Sequence, residues 1–146
     1  MSLMDIITHD IFLEVVIIFI ACQVIKMLTK SHAHKAFYPK ALIEDGGMPS
    51  THTASIIALT TSIGLAEGFT APLFFVTGAF AVLVMRDAMG VRHNVDTITA
   101  KVNEIIMKSK VKTKALDIVS GHSIIQVAAG FVLGIVGVLI LHFWIL

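Results

Sequence analysis

Four stretches of this chain are apolar and close to the length that crosses a bilayer: residues 11–28, 50–67, 72–89 and 122–145. A helix of about 18 residues rises about 27 Å, enough to cross the hydrocarbon core. Four such runs in 146 residues leave little sequence for anything else. The chain is 56% hydrophobic and only 14% charged, with a mean hydropathy of +0.89. A small soluble globule must cover itself with polar surface, and this composition does not supply it. The expected fold is an all-α integral membrane helical bundle with about four transmembrane helices plus a polar interfacial helix, forming one domain over residues 1–146.

Charge placement orients the bundle. Every Lys and Arg lies within residues 26–40 or 86–114. The other polar ends carry acids and histidines: Asp5, His9, Asp10, Glu14, Glu67 and His142. Under the positive-inside rule both basic connections are cytoplasmic, which places both termini on the opposite side of the cell membrane. The first residues hold no Lys or Arg, so the first apolar run reads as a retained span and not as a cleaved signal. Glu14 and Lys26 are expected to snorkel to opposite interfaces, and Trp144 to anchor the last span. The single cysteine, Cys22, excludes an internal disulfide and reads as a lipid-facing or packing residue.

The remaining segments are polar. Residues 29–47 form a connection with room for a short interfacial helix. Residues 94–108 place Val95, Ile98, Val102, Ile105 and Ile106 at helical spacing. A basic loop follows over 108–114. In the last span, Gly130 and Gly134 form a small-residue pair that lets another helix approach closely. The spacing leaves open whether that helix belongs to this chain or, in a homo-oligomer, to another copy.

The segment Gly46-Gly47-Met48-Pro49-Ser50-Thr51-His52-Thr53-Ala54 carries the strongest chemical signal. Ser is a favoured N-cap and Pro marks helix beginnings, so the second span starts here. A helix N-terminus has free N–H donors and partial positive charge, and both suit an anion. His52 falls in its first turn. Three more groups converge on the same membrane face: Lys26 ends span one, Arg86 and Asp87 end span three, and His122 opens span four. Cations and amides hold a phosphate, one imidazole can attack phosphorus, and the other can protonate the leaving oxygen. Taken singly, Lys26 reads equally well as an anchor, Arg86 and Arg92 as topology determinants, and each histidine as an interfacial residue. Their convergence favours a functional site. A carboxylate–imidazole cluster of Asp87, His93, Asp96 and Glu104 has no ligand-spacing motif, and Asp96 can instead pair with Arg92. No metal or other cofactor is expected.

These motifs resemble those of the divergent type 2 phosphatidic acid phosphatase family, a membrane branch related to acid phosphatases and vanadium-dependent haloperoxidases. The 46–54 segment resembles that family's Gly-Gly-Met-Pro-Ser-Ser-His-Ser-Ala block. Arg86-Asp87-Ala88-Met89-Gly90-Val91-Arg92 is similar to its second block. Gly121-His122-Ser123-Ile124-Ile125-Gln126-Val127-Ala128-Ala129-Gly130 is similar to its Gly-His-Thr-Pro-x-Glu-Val-x-x-Gly block, and Gln23-Val24-Ile25-Lys26 to its Lys-bearing motif. The resemblance implies a phosphohistidine mechanism that needs no metal. His122 matches the nucleophile and His52 the group that protonates the leaving oxygen. Lys26, Ser50 and Arg86 match the phosphate clamp, with Thr51 beside them, and Gln126, Asp87, Arg92 and Asp96 form the surrounding shell.

Two departures stand out. Arg86 and His122 lie far apart in sequence where ordinary members hold both in one motif. Gln126 stands where a carboxylate would orient the nucleophile; its carbonyl can fix the imidazole tautomer but cannot stabilise an imidazolium as a carboxylate does. The implied activity is hydrolysis of a lipid phosphate or isoprenyl diphosphate, with the bilayer and that lipid as partners and no nucleic acid. The competing readings are a non-catalytic binder of phospholipid headgroups and a small transporter.

Overall fold

The computed structural model describes residues 9–42, 46–109, 113–116 and 122–146, with the side chains of residues 91–93 excepted. Among the described residues the α-helices are α1 (Asp10–His34), α2 (Thr51–Glu67), α3 (Pro72–Met89), α4 (Val91–Lys108) and α5 (Ile124–Trp144), with a short 3-10 turn at Pro39–Leu42. Three helical segments are long and apolar enough to cross a membrane: α1, α5 and the stretch from Pro72 to Lys108 that contains α3. The protein is an all-α membrane protein. The fourth expected span, α2, has 17 residues and differs from the others in kind. It is the centre of the bundle, packed against α1, α3 and α5.

The sequence of α2 explains that position. Ten of its residues are buried, and most are small or hydroxylated. Small side chains let neighbouring backbones come close. Two of its threonines need no partner from another helix: Thr60 Oγ1 donates to the Ile56 carbonyl and Thr61 Oγ1 to the Ile57 carbonyl, each at 2.8 Å. Bonds to the preceding turn of this kind let a hydroxyl be buried without an orphaned donor. The outer helices carry the opposite pattern. Phe19, Ile20 and Leu28 of α1, Phe75, Phe80 and Leu83 of α3, and Val132 and Phe143 of α5 are exposed apolar side chains, as a lipid-facing surface requires.

The glycine pair of α5 is used within the chain. A Cβ on Gly130 would lie 2.5 Å from the Ser50 carbonyl oxygen, and one on Gly134 would lie 2.8 Å from the Ala54 carbonyl oxygen. These obstacles are backbone atoms of the chain entering and continuing α2. The Ser50 N–H donates to the Gln126 carbonyl at 3.0 Å, tying the two helix starts together.

One sequence expectation is corrected and another is narrowed. Glu14 does not snorkel: it is 1% exposed, and its carboxylate lies 2.9 Å from His142 Nδ1 on α5. The antiparallel packing of α1 on α5 brings these two residues into one layer, at the end of the bundle away from residues 46–54. Pairing a buried carboxylate across helices removes the need to reach water. Of the two readings of Cys22, packing is the one the structure shows: it is fully buried, with Sγ 3.7 Å from the Pro49 carbonyl and 3.6 Å from Thr51 Oγ1. Boundaries shift modestly elsewhere. Helix α1 runs on to His34, α4 begins at Val91, and α5 begins after a Ser123–Gln126 capping box and not at His122.

The close approach of α5 to α2 predicts a graded response to alanine. Gly130→Ala and Gly134→Ala should each destabilise the bundle by about 1–3 kcal/mol through overpacking. Gly78→Ala, with nothing within 4 Å of the new Cβ, should be neutral or slightly stabilising. Thermal melting of the three variants in one detergent checks this; equal melting points for all three would contradict the packing.

Candidate functional site

Lys26 is the deepest charge at the basic end. It sits on the last third of α1 and is 5% exposed. The turn before α2 covers it. Gly47 holds φ +98°, and a Cβ there would lie 3.0 Å from Lys26 Cγ and 3.0 Å from Lys30 Cε. Glycine therefore serves twice here, for a left-handed backbone and for a close approach to two lysine stems. Thr29 Oγ1 donates to the Met48 carbonyl at 3.0 Å and holds the same turn against α1.

The start of α2 follows. Ser50 is the N-cap, and its hydroxyl accepts from the Thr53 N–H and from Thr53 Oγ1. It is fully buried in that role. Thr51 Oγ1 lies 3.5 Å from Gln23 Oε1, and Gln23 Nε2 donates to the Leu42 carbonyl at 3.3 Å. This chain of contacts joins α1, the 3-10 turn and α2. His52 is exposed in the first turn of α2.

His122 comes from the other end of the sequence. Its backbone N–H donates to the Ala88 carbonyl at 3.1 Å, which pins it to the end of α3. Its Nδ1 lies 3.2 Å from Gln126 Oε1, the oxygen that also accepts from the Ser123 N–H at 3.0 Å. A backbone N–H can only donate, so the amide oxygen faces this cluster. His122 Nδ1 is then the donor of this pair, and in the neutral imidazole that tautomer leaves the lone pair on Nε2. The His52 and His122 rings are 6.3 Å apart between centroids.

These groups share one groove of about 530 Å³ between α1, α2 and α3. Its polar end is lined by Gln23, Lys26, Gly46, Thr51, His52 and His122. Its depth is lined by Val15, Phe19, Ile56, Leu59, Phe80 and Val84, with Ser55 between the two zones. The shape suits an amphiphile with an anionic head and an apolar tail.

Other expected members of the site lie elsewhere. Ser50 is buried in its cap and does not line the groove. Arg86 is exposed on α3, also outside the groove lining. Asp87 lies beside His52 in an adjoining hollow of about 310 Å³. Asp96 is half-buried on α4, away from the groove. The Arg92 and His93 side chains, Gly121 and residues 110–112 of the basic loop lie outside the described residues. Among the described residues, no three or more of His, Cys, Asp and Glu gather in one place. Gln23 was quoted only as part of the Lys26 motif. Its position three residues before Lys26, on the same helix face, is the signal that could have placed it in the groove.

Comparison with known proteins fits this arrangement. The Divergent PAP2 family matches residues 7–137. The chain belongs to that family. An uncharacterized membrane protein, YuiD, of Bacillus subtilis (strain 168) is 30% identical, over 97% of this chain and 99% of its own length. No solved structure matches the chain.

The Gly47 geometry is testable without reference to activity. Gly47→Ala should lower the melting temperature through backbone strain of about 1–2 kcal/mol plus displacement of the lysine stems. Gly68→Ala has the same φ of +98° but nothing within 4 Å, so it should show the strain alone and melt higher than Gly47→Ala. A Gly47→Ala protein melting with Gly68→Ala or above it would remove the lysine contact from the account.

Proposed function

We propose that this protein is a membrane phosphatase that hydrolyses a lipid phosphate or isoprenyl diphosphate through a phosphohistidine. The observation that carries the reading is the pair of imidazoles, 6.3 Å apart, beside buried Lys26 at the polar end of an otherwise apolar groove. The apolar tail lies along Phe19, Ile56 and Phe80. The phosphate lies against Lys26, Thr51 and the α2 N-terminus, where N–H donors and the helix dipole favour negative charge.

His122 Nε2 attacks phosphorus, forming the N–P bond as the P–O bond to the lipid breaks. His52 gives a proton to the departing oxygen, so the lipid leaves as an alcohol or, from a diphosphate, as the monophosphate. Water then attacks the phosphohistidine, with His52 now taking a proton. Phosphate is released and both imidazoles return to their starting states. Gln126 holds the His122 tautomer throughout. Arg86 belongs to this scheme only if its exposed side chain swings toward the phosphate when substrate binds.

A second reading has specific support. With Arg86 outside the groove and an amide in place of a carboxylate, the site also fits a protein that binds lipid phosphates without cleaving them. Purified protein incubated with lipid phosphates separates the two, since binding without phosphate release supports the binder.

For the phosphatase, His122→Ala should abolish both release and the acid-labile phosphoenzyme. His52→Ala should slow phosphoenzyme formation most for poor leaving groups, so an activated aryl phosphate should partly rescue it. Gln126→Glu should retain or raise turnover, because a carboxylate stabilises the imidazolium. Continued hydrolysis by His122→Ala would end the phosphohistidine reading.

The positive-inside rule, applied to the two basic connections, supports a cytoplasmic face for this site. Lys35→Cys and Phe69→Cys proteins in intact cells test that orientation. An impermeant thiol reagent should reach position 69 and not position 35, and the reverse pattern would invert the topology.

A further inference from the structure

Helix α4 is the part of the molecule that the groove does not use. Among the described elements it contacts only α3. It follows α3 directly, with only Gly90 between the two helices. The Gly90 N–H donates to the Arg86 carbonyl at 2.8 Å, and the Asn94 N–H donates to the Gly90 carbonyl at 3.1 Å. Bonds of the i→i−4 kind thus flank the junction on both sides, and Pro72 to Lys108 forms one helical stretch of 37 residues. At 1.5 Å per residue a helical path of that length is about 55 Å, against about 30 Å of hydrocarbon. The stretch is longer than one crossing needs, and α4 is its polar second half.

Helix α4 carries a narrow apolar stripe. Val95, Ile98, Val102 and Ile105 follow one another at steps of three, four and three. That is the alternation of the a and d positions of a heptad, the seam along which helices pair. Val95, Ile98 and Ile105 are 47%, 61% and 66% exposed. An interfacial helix lying on lipid usually shows a broad face with aromatic or leucine side chains, whereas residues 91–108 contain no Leu, Phe, Tyr or Trp. A different side of α4 is already taken. The Asn103 amide donates to and accepts from the backbone of Leu116, at 2.8 and 2.7 Å. That contact holds Leu116 about 120° round the helix from the stripe; Val102 is half-buried, and Val95, Ile98 and Ile105 remain exposed.

We propose that α4 pairs with α4 of a second copy of this chain as a short parallel coiled coil. The pairing must be parallel, because both copies leave the same membrane face at the end of α3. With Val95 and Val102 at a and Ile98 and Ile105 at d, the flanking positions set Asn94 opposite Thr99 and Lys101 opposite Ile106, so no like charges face each other. Two heptads alone associate weakly, but anchoring both helices in one bilayer raises their effective concentration. The glycine pair of α5 is engaged with α2 and is not part of this surface. The proposal is independent of any catalytic activity.

Single cysteines introduced into the otherwise unchanged chain test it, with native Cys22 buried and the wild-type protein as the blank. Ile98→Cys and Ile105→Cys lie on the seam; Ala100→Cys and Met107→Cys lie on the opposite side. In native membranes, mild oxidation should link the first two into dimers at least fivefold more than the second two. An environment-sensitive probe on position 98 should be shielded from water yet unquenched by brominated lipids. Equal linking at all four positions, or none at any, overturns the proposal. Quenching by brominated lipid also overturns it, by placing the stripe on the bilayer.

Discussion

The approach of α5 to the start of α2 is the constraint on which the rest depends. Gly130 and Gly134 remove the side chains that would hold the two backbones apart, and the Ser50 N–H then reaches the Gln126 carbonyl. His52 and His122 come from helices that begin far apart in sequence. They meet because that single seam brings the first turn of α2 beside the first turn of α5. The capping box of Ser123 and Gln126 acts at the same place, ending the preceding segment and fixing the imidazole proton with one amide oxygen. Glycine spacing, helix capping and imidazole tautomer are therefore parts of one local arrangement.

Much of this was legible in the chain. The four apolar runs gave the helices, and the residue before α2 was recognisable as its cap because serine competes well for unpaired N–H groups. His52, Thr51, Lys26 and His122 line one groove, because two helix starts lie beside the last third of α1. Arg86 was less legible. Its position in sequence fixes its depth along α3 but not its direction round the axis, and the structure turns it outward. The Glu14–His142 pair could not be read, since it joins residues 128 positions apart and depends on which helices become neighbours. Hydropathy likewise overstated the independence of α2: a sequence apolar enough to span lipid is, at this content of threonine and serine, better suited to lie among other helices.

The molecule has two polar layers with different environments. One, around Lys26 and the two imidazoles, lines a groove. The other, formed by Glu14 and His142, closes the opposite end, with Glu14 entirely shielded. An apolar core joins them through Ile18, Cys22, Ala58 and Val138. Polar contacts at both ends and close packing between them fix the setting of α1 about its own axis. That setting decides which α1 residues enter the groove: Val15, Phe19, Gln23 and Lys26 face it, while Glu14, Ile18 and Cys22 face the interior.

The sheathing of α2 has a consequence for how the protein is made. Ribosomes produce α1, α2 and α3 well before α5, yet α2 presents Ser50, Thr53, Ala54 and Ile57 to a partner that does not yet exist. Until Gly130 and Gly134 arrive, this flank of α2 must remain beside the insertion machinery or lie against lipid with small and hydroxylated residues outward. The last helix is then a wedge that completes the bundle from one side, and the groove between α1, α2 and α3 acquires its second imidazole in the same step. A chain that stops before its final helix therefore lacks both the cover for this flank of α2 and the second imidazole of the groove.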